Sequence, residues 1–226
     1  VLGFDIFTVE DGAGWTALLR SLVARGLSGV CLATSDAHEG LKDAIFTVLC
    51  GASWQRCRTH FMRNLLARVP KTQQAIVASL VRSIFAQTTP EEVWAHHGRV
   101  VEQLSGPFPK AAELLEEAGP DVLAFCAFPK EHWKQIWSNN PLERLNKEVR
   151  RRTDVVGIFP NRDAIIRLVR AVMAEQNDEW AVVRRYMGAE LLAKARPMSQ
   201  QKQPTEEEES PKKLAAAGSQ THGRSR

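Results

Sequence analysis

Two acidic residues stand where acid chemistry is placed in α/β proteins. Asp36 follows the apolar run Gly29–Thr34, and the C-terminal ends of buried strands are where ligand and metal groups collect. A competing reading makes Asp36, or Ser35 beside it, the cap of the next helix. Glu143 lies three residues after Asn140 in Asn140-Pro141-Leu142-Glu143, which reads as an Asn cap with a reciprocal acidic partner. The same helix offers a rival. Leu142, Leu145 and Val149 form its apolar stripe, and Glu143, Asn146, Lys147 and Arg150 fall on one flank, about 40–140° round from Leu142. A carboxylate at a core edge, backed by cations one and two turns on, has the make-up of a metal ligand beside a phosphate backbone. Arg144, Lys147, Arg150, Arg151 and Arg152 crowd this segment, with Glu148 the one acid among them.

Other candidates have plainer readings beside the functional one. Cys57-Arg58-Thr59-His60 is half of a zinc motif, but Cys126 and His132 stand alone and supply no second pair, so no zinc is expected. His96 and His97 read as helix residues. Trp133 and Trp137 share a helix face, where core packing is the default and base stacking the alternative. No phosphate-cradling Gly-rich loop, nucleophile elbow or helix-borne H-E-x-x-H occurs.

The elements that must position these groups follow from capping and periodicity. Val1–Val9 is β-rich in composition. Asp11 can cap a helix carrying Trp15, Leu18, Leu19, Leu22 and Val23, closed by Gly26. A strand at Gly29–Thr34, a helix with Leu41, Ile45, Val48 and Leu49, and a short strand at Ser53–Arg58 complete an α/β pattern with parallel pairing. From Thr59 the apolar period becomes 3.6. Ile76 to Phe85 form one stripe, Thr89-Pro90-Glu91-Glu92 is a capping box, and Gly106-Pro107 and Gly119-Pro120 break further helices. The expected organisation is an α/β part over 1–58, an all-helical insertion over 59–137, C-terminal helices over 138–196, and a Gln-, Pro-, Ser- and Glu-rich disordered tail over 197–226.

The 226 residues suffice for a buried core, and 44% hydrophobic with 25% charged residues excludes wholesale disorder. No apolar run reaches membrane-spanning length, and four cysteines do not make a disulfide scaffold, so a reducing cytoplasm is the default. A net charge of +4 permits a nucleic-acid partner without requiring one.

Read in order, Thr34-Ser35-Asp36-Ala37-His38-Glu39-Gly40-Leu41, Cys57-Arg58-Thr59-His60-Phe61-Met62-Arg63-Asn64-Leu65 and Ser138-Asn139-Asn140-Pro141-Leu142-Glu143-Arg144-Leu145-Asn146-Lys147 resemble the mutator-type bacterial insertion-sequence transposases. The likeness continues through Arg151–Pro160 to about Glu190. It implies a ribonuclease-H-like core with an Asp-Asp-Glu triad and a helical insertion before the Glu. On this chain the second Asp is Asp36, the Glu is Glu143, and the family's Cys-x-x-His element is Cys57 and His60. It implies two Mg²⁺ or Mn²⁺ ions held by Asp36 and Glu143, His60 placing a phosphate or catalytic group, and DNA phosphates engaged by Arg144, Lys147, Arg150 and Arg151. Transposon ends and target DNA would be the partners, in a homo-oligomer when full-length, in the bacterial cytoplasm and on the nucleoid. The family's first Asp, on a first strand, has no counterpart: Asp5 matches a later strand and Asp11 a helix cap. The chain is therefore expected to start part-way through the core and to be inactive alone. The alternatives are a truncated relic that binds DNA or a full-length partner, and an ordinary α/β-plus-helical binding module.

Overall fold

The computed structural model describes residues 1–183 except Thr8 and Glu10, so the 197–226 tail and the end of the C-terminal segment lie outside the described residues. The chain runs α1 (Gly12–Ala24), β1 (Leu32–Ser35), α2 (Glu39–Val48), β2 (Ser53–Arg56), α3 (Arg58–Leu66), α4 (Gln74–Ile84), α5 (Pro90–Ser105), α6 (Pro109–Glu117), α7 (Gly119–Val122), α8 (Trp133–Ile136), α9 (Asn140–Val156) and α10 (Arg162–Val183). It is an α/β protein in which helix dominates. Among the described residues the sheet is one parallel pair, β1 with β2, registered Leu32 to Ser53 and Ser35 to Arg56.

Local chemistry explains most boundaries. Asp11 accepts a 2.7 Å hydrogen bond from Gly14 N and opens α1. Thr89 and Glu92 form the reciprocal capping box of α5, with Pro90 in its first turn. Gly157, at a φ of 74°, ends α9 in a conformation that L side chains rarely adopt. The starts of α1 and α2 meet through glycine: a Cβ on Gly40 would lie 2.8 Å from the backbone of Gly12.

The strand expected within Val1–Val9 does not form among the described residues of that segment. A strand needs a neighbour to take its backbone groups. Here side chains take them instead. Ile6 N donates to the Asp5 carboxylate at 2.7 Å, and Ile6 O accepts from the Arg162 guanidinium.

Two apolar clusters organise the rest. Ile45, Leu49 and Ala52 cluster with Trp54 of β2, with Leu19, Leu27 and Leu41 partly buried against them. A larger core built on Phe61, Val81, Phe85, Leu104, Leu115, Phe125 and Trp133 fills the helical region. Phe125 contacts Phe85, Trp133 and Trp137 with ring centroids 5.9, 5.1 and 5.6 Å away.

The two regions are joined by buried polar contacts. Gln55, fully buried on β2, accepts from Phe125 N at 2.7 Å and donates to Val122 O at 2.7 Å. Thr34 Oγ1 donates to Ile136 O at 2.7 Å. Arg58 N donates to Trp137 O at 2.9 Å, so the helical excursion departs and returns at one place. The backbone leaving Trp137 thus enters α9 beside the C-terminal ends of both strands.

Candidate active site

Asp36 follows the last residue of β1, and Cys57 follows the last residue of β2. Ser35 O accepts from Cys57 N at 2.6 Å, which ties the two strand ends together. Asp36 is half-buried and is not a helix cap. That part is played by His38, whose Nδ1 accepts from Leu41 N at 3.2 Å and opens α2. The Ser35 hydroxyl donates to Asp36 O and accepts from Trp54 Nε1 at 2.8 Å, so Ser35 is no cap either. No hydrogen bond or ion pair of the Asp36 carboxylate occurs among the described residues.

Glu143 also departs from its capping reading. The cap of α9 is Asn139, whose side chain makes no capping hydrogen bond to the helix, and Asn139 O accepts from Glu143 N at 3.0 Å. Asn140 Oδ1 instead accepts from Thr59 Oγ1 at 3.0 Å, binding the start of α9 to the start of α3. The Glu143 carboxylate turns toward α3. Its Oε1 lies 3.7 Å from His60 Nδ1 and 3.9 Å from Cys57 Sγ, both longer than a strong hydrogen bond. Cys57 is fully buried and also donates to Asn139 Oδ1 at 2.8 Å. His60 Nδ1 is buried and has no hydrogen-bond partner.

Ligand atoms of Cys57, His60 and Glu143 all lie within 4.8 Å of one another; Asp36 is not a member of that group. The Cys-x-x-His pair finds its third donor on a helix far along the chain, not in a second Cys or His pair. Among the residues that sequence spacing passed over are Asn139 and Thr59, which hold the two helices together, and Arg58. The Arg58 guanidinium lies 4.2 Å from the Trp137 ring centroid and 5.0 Å from that of Phe85. Burial pulls its pKa below the ordinary arginine value. An Asn pair before a helix and a Thr after a strand were the visible signals.

The basic residues divide. Arg144, Lys147 and Arg150 are exposed on α9 and make no ion pair among the described residues. Arg151 is engaged: its guanidinium donates to both oxygens of Glu148, at 2.9 and 2.7 Å. Arg152 joins Glu148 to Glu175 on α10. These two guanidinium groups hold the Glu148 carboxyl down to about 2. The expected apolar stripe is narrower than its spacing implies. Leu145 is buried, whereas Leu142 is 48% exposed.

Trp133 is buried in the core, as the packing reading has it, and Trp137 packs on that core with Arg58 over its ring. His97 is buried on α5 with Nε2 2.9 Å from Leu115 O. Asp5 is ion-paired with Arg162 at the start of α10.

A family model described as "Transposase, Mutator family" matches residues 1–183, which include Asp36, Cys57, His60, Glu143 and the whole basic helix. This chain belongs to the Mutator family of transposases. It is 58% identical over 196 residues to the transposase for insertion sequence element IS1081 of Mycobacterium tuberculosis, across 87% of this chain and 47% of that protein. It is 36% identical over 192 residues to the ISRM5 transposase of Rhizobium meliloti, across 85% of this chain and 48% of the relative. With the transposase for IS256 in transposon Tn4001 of Staphylococcus aureus it shares 35% over 182 residues, 80% of this chain and 46% of that one. The Mutator-family chain thus spans about half the length of these curated relatives. No helix among its described residues is long and apolar enough to cross a membrane.

Proposed function

We propose that this chain carries the second Asp and the Glu of a metal-dependent DNA transposase, built on a ribonuclease-H-like core. The observation that supports this most directly is the meeting of Glu143 with the C-terminal end of β2, through its 3.9 Å approach to Cys57 Sγ. Strand order and helix period alone do not bring those residues together. The carboxylates fit the cations that the family implies. Glu143 receives only long contacts and Asp36 none, which leaves hard oxygen donors available. When bound, two Mg²⁺ or Mn²⁺ ions would supply Lewis-acid activation of water or a DNA 3′-OH and neutralise the leaving oxygen.

The chain's own residues do the positioning. Asp36 and Glu143 present oxygen ligands from two rigid elements, the end of β1 and the first turns of α9. Arg144, Lys147 and Arg150 hold DNA phosphates along the exposed face of the same helix, so DNA bound there lies next to Glu143. Arg151, occupied by Glu148, contributes less than the sequence implies. His60, in the first turn of α3 and 3.7 Å from the Glu143 carboxylate, would place a phosphate or a catalytic group. Asp5 is ion-paired with Arg162, so this reading takes two acids of the triad, Asp36 and Glu143, from the described residues, and strand transfer by this chain alone is not expected. Transposon ends and target DNA are the substrates, handled by a homo-oligomer of the full-length protein.

The test is Glu143→Gln in a full-length transposase carrying this segment. Strand cleavage with Mg²⁺ or Mn²⁺ is lost while the melting temperature holds, because no hydrogen-bonded cap is removed. A cleavage-competent variant overturns the assignment. In the chain as it stands, Lys147→Gln with Arg150→Gln lowers DNA affinity for all sequences. It also reduces the log–log salt slope by roughly 0.9 for each phosphate that is no longer neutralised.

A further inference from the structure

The Cys57, His60 and Glu143 cluster has a donor set that two hard cations do not explain. Mg²⁺ takes oxygen ligands in near-octahedral geometry and has little use for a thiol or an imidazole. We propose that these three residues form a site for one thiophilic divalent cation, with Zn²⁺ as the natural class of occupant. The proposal rests on the transposase reading only through Glu143, which the two sites share.

The geometry carries it. Tetrahedral Zn²⁺ with the usual sulfur, nitrogen and oxygen bond lengths sets its ligand atoms roughly 3.3–3.6 Å apart. Glu143 Oε1 stands 3.7 Å from His60 Nδ1 and 3.9 Å from Cys57 Sγ, and all three ligand atoms lie within 4.8 Å. Those separations are too long for strong hydrogen bonds and need only a modest inward movement to match a shared ion. His60 Nδ1 is buried without a hydrogen-bond partner, which a metal bond would remedy.

The frame is rigid. Cys57 caps α3 and His60 lies three residues on, so both project from one face of its first turn. The Thr59–Asn140 and Arg58–Trp137 hydrogen bonds fix that turn against the start of α9. On binding, the Cys57 thiol gives its proton to solvent and the thiolate takes the metal bond. Asn139, which now accepts from that thiol at 2.8 Å, can turn its amide over and donate an N–H to the thiolate, an outer-shell contact of the kind that steadies such ligands. Three protein ligands leave the fourth position open. The ion would act as a clip between α3 and α9 and hold Glu143 at the strand ends.

Cobalt reports on such a site without any DNA reaction. The 226-residue chain, freed of metal with a chelator, is titrated with Co²⁺ alone. The expected result is a near-ultraviolet thiolate-to-cobalt charge-transfer band with visible bands of tetrahedral form, saturating at one equivalent and displaced by Zn²⁺. Cys57→Ser abolishes the charge-transfer band, whereas a variant with Cys31, Cys50 and Cys126 changed to Ser keeps it. His60→Gln and Glu143→Gln weaken binding and alter the visible bands. Metal-free circular dichroism and melting of each variant confirm that the fold is intact. No band in the parent chain, or a band that survives Cys57→Ser, overturns the proposal. A silent cobalt titration leaves the cleavage test of Glu143→Gln standing, and a cleavage-competent Glu143→Gln leaves the cobalt result standing, so the two readings fail separately.

Discussion

The helical region and the strand region of this chain are built to different standards of burial. Between Phe61 and Trp133, aromatic and aliphatic side chains from α3 to α8 close over one another, and Phe61, Val77, Val81, Ile84, Val93, Val100 and Phe125 are wholly inaccessible. Around β1 and β2 the buried cluster is Ile45, Leu49, Ala52 and the strand residue Trp54, and α1 buries no residue completely. Yet the candidate site belongs to the thinner side: Asp36 and Cys57 stand at its strand ends. The difference teaches that the site borrows its rigidity. Gln55, Thr34 and Arg58 bind the strand ends to the helical core, and the core delivers α9 with Glu143 to them.

The largest expected effect tests the core itself. Phe125→Ala removes a ring that three other aromatics contact and should cost about 3–5 kcal/mol in urea-induced unfolding. A loss below about 1 kcal/mol would mean that the helical core is not the stronger region. Gln55→Leu addresses the seam. It leaves Phe125 N–H and Val122 C=O without their partner, at roughly 1–3 kcal/mol per orphaned group. Calorimetry is then expected to resolve two transitions, against one expected for the parent; a single sharp transition in the variant would place the coupling elsewhere.

A smaller effect belongs to Thr89→Ala, which removes one half of the α5 capping box. About 1 kcal/mol is expected by thermal melting, with the strand region unaffected. The smallest concerns Glu148, on the surface between α9 and α10. Arg151 and Arg152 hold its carboxyl down to about 2 by hydrogen bonding. Because this lies below the ordinary carboxylate value, the ionised cluster supports the fold above the ordinary range, and its contribution disappears as pH falls through about 2. Carbon-detected NMR of the Glu148 carboxyl should show that low midpoint. Glu148→Gln should also release Arg151 and tighten DNA binding at low salt, and an unchanged affinity would remove Arg151 from the DNA face.

Much of the fold is legible along the chain because its causes are local. The Asp11 cap, the Thr89 and Glu92 box, the glycine at the end of α9 and the change of apolar period after Arg58 each act within about one or two helical turns. The N-terminal strand failed as a reading because β-rich composition supplies no partner. Arg162, from α10, satisfies the backbone of Ile6 instead. The cap of α2 went to His38 because its Nδ1 reaches Leu41 N, and composition favours Asp or Ser at such a place without deciding among adjacent candidates.

Residue order alone determined which groups this protein owns: a carboxylate after an apolar strand, a Cys-x-x-His at the next strand end, and a basic helix headed by Glu143. Tertiary structure decided which of them meet. Cys57 and Glu143 are 86 residues apart, and no helical or strand period relates them. Their approach depends on the closed path from Arg58 back to Trp137, which the Arg58–Trp137 backbone hydrogen bond ties together beside the Thr34 and Gln55 contacts. Local propensities act over a few residues, whereas that closure is set by burial summed over the whole excursion.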